Sequence, residues 1–275
     1  MSTNQKTTGG FSSLVSSIAI AIALVIGFVV YKYIFGDANN FVKGSGLPGM
    51  SDNTGEPLEG NFLAIVYKGG IIVPFLLAVN FIVIIFTVER FISLAKAKGK
   101  GNINKFVVKI KNLMGNKEIS VAKEECDVQR GSLANVVLAG LTKYEHMQAE
   151  TEMNKEQKIE TLKKELEEAT ALELPMLSKN LVILSTCASI ATLIGLIGTV
   201  LGMIKSFAAM SAGTPDTAQL ATGISEALIN TALGIFASTI AIIFFNLFST
   251  KVDQITHSMD EASFTIVQDF TASTK

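Results

Sequence analysis

The chain has 275 residues and a net charge of −1; 49% of its residues are apolar, only 17% are charged, and its mean hydropathy is +0.43. This composition excludes a soluble enzyme and predicts an integral membrane protein. The two cysteines, Cys126 in a charged loop and Cys187 in an apolar stretch, indicate neither a disulfide framework nor a metal site. We therefore expect a membrane protein that is not an enzyme and needs no metal or cofactor.

The amino-terminal segment, residues 1–35, is predicted to hold the first transmembrane helix. Residues 11–31 carry no charge, and such a run is long enough to cross a bilayer. A cleaved signal peptide is the alternative, but the run is longer than a typical signal-peptide core and Gly36 and Ala38 form a poor cleavage site, so an uncleaved anchor is favoured. Residues 36–68 follow as an external loop, whose first part is rich in Gly, Asn, Ser and Pro and is predicted to be flexible.

Residues 69–95 form the second predicted transmembrane helix. Their first 20 residues are uncharged, and Pro74 lies near the start, where proline is tolerated. From Arg90 to Lys117 the chain carries eight basic residues and no acidic one, so the positive-inside rule places this side in the cytoplasm. Because the basic run directly follows a span, we expect it to contact anionic membrane lipids and not nucleic acid.

Residues 96–178 are predicted to be a helical cytoplasmic loop. Apolar residues recur there at spacings of three and four, which is typical of a packed helix; they are Ile159, Leu162, Leu166, Ala169 and Leu172. This helix should run towards the span that begins near Asn180, and Pro175 should bend or interrupt the junction. Residues 252–275 are predicted to be a polar, helical cytoplasmic tail.

The segment from 179 to 251 is predicted to be a transmembrane hairpin. Residues 180–204 and 227–250 are uncharged, and each run exceeds the ~20 residues that a bilayer requires. One face of the first helix carries only small or weakly polar residues: Ser185, Ala188, Thr192, Gly195, Thr199, Gly202 and Ser206. In the second helix a similar face lies about 40–140° from Glu226: Gly223, Ala227, Asn230, Thr231, Gly234, Ser238 and Ala241. Bulky residues on the opposite sides should face lipid.

The small faces have two interpretations. They permit close helix packing, for which Gly198 and Gly202 form a GxxxG pair, or they line a pore. Packing does not explain Glu226, because a charge near the centre of a span costs roughly 2.5–3.5 kcal/mol on insertion scales. This carboxylate needs a function, a partner or a proton, unless it lies near the helix end and reaches water. Lys205 has no role assigned from sequence.

Two stretches of the hairpin carry a family resemblance. Residues 193–204, LIGLIGTVLGMI, and residues 223–234, GISEALINTALG, resemble the core motifs of the ExbB/TolQ/MotA proton-channel family, and ExbB in particular. The resemblance covers residues 69–258 and leaves out the first 60. An additional amino-terminal span departs from the three-span plan of ExbB and TolQ; it matches the four-span layout of MotA, but the GISEAL motif favours the ExbB/TolQ branch.

The resemblance implies an all-α, polytopic membrane helix bundle with long helices extending into the cytoplasm, assembled as a homo-oligomer, specifically a pentamer. Such a pentamer in the bacterial inner membrane encloses single-span, aspartate-bearing helices of an ExbD-like partner, and proton flow drives a TonB-like protein. By motif matching, Glu226, Thr199 and Thr231 belong to the proton pathway. The residues that we expect in the pore or helix-packing face are Thr192, Gly195, Gly198, Gly202, Gly223, Asn230 and Gly234.

Three alternatives to an ExbB-like subunit remain open. A TolQ-like envelope-maintenance subunit differs by its partner. A secondary transporter usually has repeated halves with broken helices, and this sequence has no such repeat. A structural membrane scaffold should tolerate neutralisation of Glu226.

Cysteine substitutions test the predicted topology. Ser51→Cys lies in the predicted external loop and should react with an impermeant thiol reagent in intact cells, whereas Asn116→Cys lies in the basic run and should not. The parent protein, with Cys126 and Cys187, gives the background labelling. Equal labelling of both variants, or labelling of Asn116→Cys alone, would contradict the topology.

Overall fold

The computed structural model describes residues 8–46, 50–211 and 217–273, and within these ranges the regular secondary structure is helical. Its α-helices are α1 (Thr8–Val29), α2 (Phe62–Tyr67), α3 (Val73–Lys98), α4 (Ile103–Gly115), α5 (Ile119–Gln129), α6 (Ser132–Ala149), α7 (Lys155–Ser178), α8 (Leu181–Ser211) and α9 (Thr217–Ser273). A π-helical segment, Val30–Phe35, extends α1, and Gly70–Ile72 is a 3-10 turn before α3. The predicted all-α fold class is confirmed.

Four helical stretches are long and apolar enough to cross a membrane, which agrees with the four spans expected from sequence. They are Ser16–Phe35, Gly70–Gly115, Lys155–Met210 and Thr217–Ser273. The last stretch is a single helix of 57 residues. The predicted second half of the hairpin and the predicted tail are therefore one continuous helix. Most of the loop predicted at 211–219 lies outside the described residues.

The chain forms two compact units. The first comprises the described residues of 1–87 and 183–244, and the second comprises 88–182 and the described residues of 245–275. In the first unit α1 lies directly against α3. A β-carbon on Gly27 would lie 2.8 Å from the Pro74 carbonyl oxygen and 2.9 Å from the Ala78 nitrogen, so the two backbones are in contact.

The loop at residues 36–61 of the first unit, predicted to be external, has more structure than its composition predicted. Phe41 and Pro57 form an isolated antiparallel bridge. The Phe41 ring packs edge-on against Tyr67, with centroids 5.6 Å apart. Asn40 Nδ2 donates to the Ile34 carbonyl over 2.8 Å and ties the loop to the end of the π-helical segment.

The second unit packs α4 to α7 and the end of α9. The Tyr144 hydroxyl donates to Asp269 Oδ2 over 2.9 Å, and burial raises the pKa of this hydroxyl. The predicted apolar stripe of α7 is only partly buried: Leu162 and Leu166 are in the core, whereas Leu172 is exposed. Helical spacing identified the face but not how far along the helix the neighbouring helices cover it.

Of the two effects expected of Pro175, a bend or an interruption, the structure excludes an interruption of the helix. Helix α7 continues through Pro175 to Ser178, and the break comes at Asn180, which adopts φ 60°. A proline in a helix removes one hydrogen bond and bends the helix without ending it when tertiary contacts hold the next turn. Here the buried Arg90 guanidinium donates to the Leu177 carbonyl over 3.3 Å and so holds that turn.

Candidate functional site

Glu226 is the centre of the candidate site and forms an ion pair with Lys205. The Lys205 ammonium lies 2.7 Å from each carboxylate oxygen of Glu226. The glutamate side chain is only 6% exposed, whereas the lysine side chain is 58% exposed. The site is therefore a buried carboxylate whose counter-ion reaches the surface of the chain.

The ion pair follows from the way in which α8 and α9 pack. Side chains on a helix point towards its amino terminus. Lys205 therefore points back along α8, and Glu226 points back along α9. Because the helices run antiparallel, these two directions converge, and the flexible lysine side chain can reach the carboxylate although it lies on a different helix.

Glycines bring α8 and α9 close enough for this contact. A β-carbon on Gly195 would lie 3.2 Å from Gly234 Cα, and one on Gly202 would lie 2.6 Å from the Gly223 carbonyl oxygen. A β-carbon on Gly198 would overlap Asn230. Close backbone approach through small residues is the usual way in which membrane helices associate. Five of the predicted small-face glycines thus meet within one helix pair.

The turn before α3 covers the carboxylate. Asn230 is fully buried, and its Nδ2 donates to the Gly69 carbonyl over 2.8 Å. Its Oδ1 has no hydrogen-bond donor within the part of the chain that the structure describes. Gly70 has φ +78°, and a β-carbon there would overlap Glu226 Oε1. Glycine satisfies both conditions at this position, the positive φ and the absence of a side chain.

The hydroxyls of the three predicted threonines do not take part in the hydrogen bonds that the structure shows for the ion pair. Each hydroxyl donates to its own helix: Thr192 to the Ala188 carbonyl over 3.4 Å, Thr199 to the Leu196 carbonyl over 2.6 Å, and Thr231 to the Ala227 carbonyl over 3.2 Å. Thr192 is exposed, and the other two are half-buried. A hydroxyl bonded in this way stays compatible with an apolar environment.

Sequence analysis missed Lys205, Gly69 and Gly70. Lys205 lies 21 positions from Glu226, and on the sequence it looks like the end of an apolar run. The available signal was the antiparallel arrangement of the two spans, since a short loop brings the end of the first opposite the start of the second. The turn at Gly69 and Gly70 gave no comparable signal in the sequence, because this turn is more than 150 positions away from Glu226 in the chain.

Chemically, the pair allows a charge to remain inside an apolar helix pair. An isolated carboxylate there carries a large desolvation penalty, and an adjacent ammonium offsets it. The lysine ammonium has three N–H donors, and its two hydrogen bonds to Glu226 leave at least one of them for another acceptor. The pair is overall neutral, and it can be opened by a proton on Glu226 or by movement of the lysine.

The sequence that carries this site matches a known protein family. Residues 129–261 match the MotA/TolQ/ExbB proton channel family. The chain contains a domain of this family. The family domain includes α8, Lys205, Glu226 and the start of the long extension of α9, and the resemblance inferred from the two motifs is confirmed.

Individual relatives match over stretches of different length. The chain is 38% identical over 86 residues to the biopolymer transport protein ExbB-like 3 of Synechocystis sp. and 42% identical over 84 residues to the Tol-Pal system protein TolQ of Haemophilus influenzae. It is 31% identical over 150 residues to the biopolymer transport protein ExbB of Pseudomonas putida. These matches cover 30%, 30% and 54% of the chain, and the chain spans only 41%, 37% and 45% of the relatives' lengths.

The match to the family leaves out part of the site. Helices α1 to α3, with Gly69 and Gly70, precede residue 129 and lie outside the family domain. The matched residues thus include the carboxylate and its counter-ion, but not the turn that covers the carboxylate.

The ion pair predicts a non-additive effect on stability. Lys205→Met leaves Glu226 without its partner in an apolar site and should lower the free energy of unfolding by about 1–3 kcal/mol. The double variant Lys205→Met/Glu226→Gln carries no charge at the pair and should lose less than the single variant. The measurement is unfolding by SDS in mixed micelles.

A matched control is Lys251→Met, which changes an exposed lysine on the other helix, α9, and should alter stability by about 0.5 kcal/mol or less. Equal losses in Lys205→Met and in the double variant would mean that the pair contributes nothing to stability.

Proposed function

We propose that the chain is an ExbB-like subunit of a proton-channel motor in the bacterial inner membrane, which uses the proton motive force to energise a TonB-type system for outer-membrane transport. The observation that carries the proposal is the buried Glu226 carboxylate with its breakable partner Lys205, inside a domain of the proton-channel family. A buried ionisable group in a membrane helix is maintained against an energetic cost, and proton transfer is a function that needs one.

The chain does not supply a complete proton path. Between residues 180 and 250 its acidic and basic side chains are Lys205, Asp216 and Glu226, and Asp216 lies outside the described residues. Proton relays across membranes use several acidic or histidine groups in succession. Conduction therefore requires either a water-filled gap or a second protein with its own acidic group, and we propose an ExbD-like, single-span partner bearing an aspartate.

The proposed pathway runs along the polar positions of α8 and α9. The hydroxyls of Thr199 and Thr231 can donate or accept a hydrogen bond in this pathway when they give up their hydrogen bonds to backbone carbonyls of their own helices. Several copies of the chain, as a pentamer or another ring, would surround the partner helix with their small faces. Thr192 is exposed in the single chain, which leaves it available to such a neighbour.

A TolQ-like role is the second candidate. It is favoured by the 42% identity to the TolQ protein of Haemophilus influenzae, which equals or exceeds the identities to the ExbB-named relatives. Both candidate roles use a proton-driven motor, and they differ in the partner protein that this motor drives. A secondary transporter or a structural scaffold has no observation of this kind in its favour.

Glu226 variants test the motor. Glu226→Ala should abolish proton flux while the protein remains inserted, because removing a buried carboxylate relieves an energetic cost and Lys205 can turn to the surface. Glu226→Gln keeps the size of the side chain and removes only its charge and proton affinity. Flux is measured in liposomes that contain the chain with its partner.

Glu261→Gln is the matched control, because Glu261 is an exposed carboxylate on the same helix. It should conduct like the parent. Parental flux in Glu226→Gln would demote Glu226 to a polar packing residue and would remove the basis of the motor proposal.

Purification from the native membrane tests the partner. We expect a homo-oligomer of this chain that co-purifies with a single-span, aspartate-bearing protein and moves few protons without it, since one carboxylate is not a relay. Mass measurement of the intact complex gives the composition, and liposomes with and without the partner give the flux. A monomer, or an oligomer of this chain alone that conducts at full rate, would refute the motor and favour a transporter.

A further inference from the structure

The additional amino-terminal helix α1 lies outside the family domain, and yet a chain of contacts connects it to Glu226. We propose that α1 is a positioning element of the carboxylate site: Tyr31, acting through Tyr67, fixes the turn at Gly69 and Gly70 against Glu226 and Asn230. The effect on proton flux rests on the proposed function, whereas the effect on the accessibility of Glu226 does not.

The first step is the seat of α1 on α3. The close approach at Gly27 brings the α1 backbone onto Pro74 and Ala78. Phe28 and Phe75 add an edge-to-face contact with centroids 5.3 Å apart. An apolar cluster continues this contact beyond the end of α1; its members are Val66, Val73 and Leu77, with Val30, Tyr31, Phe35, Phe81 and Leu233 packed against them. The end of α1 is thereby held beside the start of α3.

The second step joins Tyr31 to Tyr67. The Tyr31 hydroxyl donates to the Tyr67 carbonyl over 3.2 Å, and the two rings stack with centroids 4.7 Å apart and an interplanar angle of 22°. Tyr31 lies in the π-helical segment Val30–Phe35. π-Helical turns are rare in proteins, and those that occur are often found at functional sites. The Tyr31 contact fixes both the side chain and the backbone of the last residue of α2.

The third step leads from Tyr67 to the carboxylate. Only Lys68 separates Tyr67 from the glycine turn, so a displaced Tyr67 carbonyl displaces the turn as well. Gly69 receives the amide of Asn230, and Gly70 lies against Glu226 Oε1. The turn is therefore held from one side by α1 and from the other by α9, and both contacts keep it over the carboxylate.

The consequence is that α1 controls how open the carboxylate is. Loss of the Tyr31 contact removes one of the restraints on the turn and leaves the Phe41 ring on Tyr67 and the Asn230 amide on Gly69, so the turn moves away from Glu226 more often. The carboxylate then meets reagents, protons and neighbouring groups that the turn excludes. Lys205 stays in place in this opening, because it approaches Glu226 from α8.

The test compares Tyr31 variants in full-length protein in membrane vesicles. Tyr31→Phe removes the hydroxyl and keeps the ring, and Tyr31→Leu removes both. Two readouts follow the two ends of the contact chain: hydrogen exchange in the peptide covering residues 62–72, and modification of Glu226 by dicyclohexylcarbodiimide, measured by mass spectrometry. Loss of one hydrogen bond should raise both by about fivefold in Tyr31→Phe, with a larger rise in Tyr31→Leu.

Tyr33→Phe and Tyr33→Leu are matched controls, because Tyr33 lies in the same π-helical segment and is exposed. They should leave both readouts at the parental level. Unchanged exchange and unchanged modification in both Tyr31 variants would overturn the proposal. Faster exchange without a change at Glu226 would also overturn it, because the turn would then move without uncovering the carboxylate.

Gly70→Ala gives an independent route to the same turn. It pushes the turn off Glu226 without touching α1, so it should raise the modification of Glu226 by itself. If Tyr31 acts through this turn, the double variant Tyr31→Phe/Gly70→Ala should label little more than Gly70→Ala alone. Multiplied effects in the double variant would mean that Tyr31 acts by another route and would refute the positioning role.

Proton flux in the same variants separates this inference from the proposed function. A changed pH profile of flux in Tyr31→Phe, together with the labelling result, supports both. If Glu226→Gln conducts like the parent, the motor proposal fails, and the labelling experiment still decides whether α1 positions the carboxylate.

Discussion

The interaction on which the first unit depends is the compensation of one buried carboxylate. Glu226 is 6% exposed on a helix whose neighbouring residues are mainly apolar or small. Lys205 compensates its charge, Asn230 satisfies the adjacent backbone, and Gly70 leaves room for the carboxylate oxygen. The small faces of α8 and α9 make this possible, because larger residues at Gly198 or Gly202 would separate the helices and lengthen the ion pair.

The second unit contains a buried charge, on Arg90, that is compensated in a different way. Arg90 is completely buried, and its guanidinium bonds bidentately to the neighbouring Glu89 at 2.6 and 2.7 Å. Asn180 also donates to Glu89, and the Leu177 carbonyl takes another arginine N–H. Planar, multiply bonded arginine pairs of this kind give fixed geometry. Lys205, by contrast, reaches Glu226 with a flexible and exposed side chain, so this ion pair has a less fixed geometry than the arginine pair.

Periodicity predicted the parts of the fold that depend on one helix at a time. The small residues of α9 face inwards, and bulky residues such as Leu228, Ile235 and Phe236 are exposed, as helical spacing indicates. Glu226 was found because a charge in an apolar run needs an explanation. The prediction for Pro175, a bend or an interruption, considered only the local effect of proline, whereas a contact from Arg90 holds the following turn and the helix continues.

Features that depend on two distant segments were beyond this reasoning. The partnership of Lys205 with Glu226 needs the register of two helices and the reach of a flexible side chain. The turn over Glu226 needs the positive φ of Gly70, which no pattern in a single sequence specifies. The external loop was judged by composition, but Phe41 and Asn40 tie it to Tyr67 and to the end of the π-helical segment.

This division explains what a family resemblance contributes to the site. The matched residues 129–261 include the carboxylate, its counter-ion and the small faces, so the resemblance identifies the ionisable group. The turn at Gly69 and Gly70 and the Tyr31 contact come from residues before this range, and they set how exposed that group is. The same buried carboxylate can therefore be given different access in chains that share the domain but differ in the segments that pack on it.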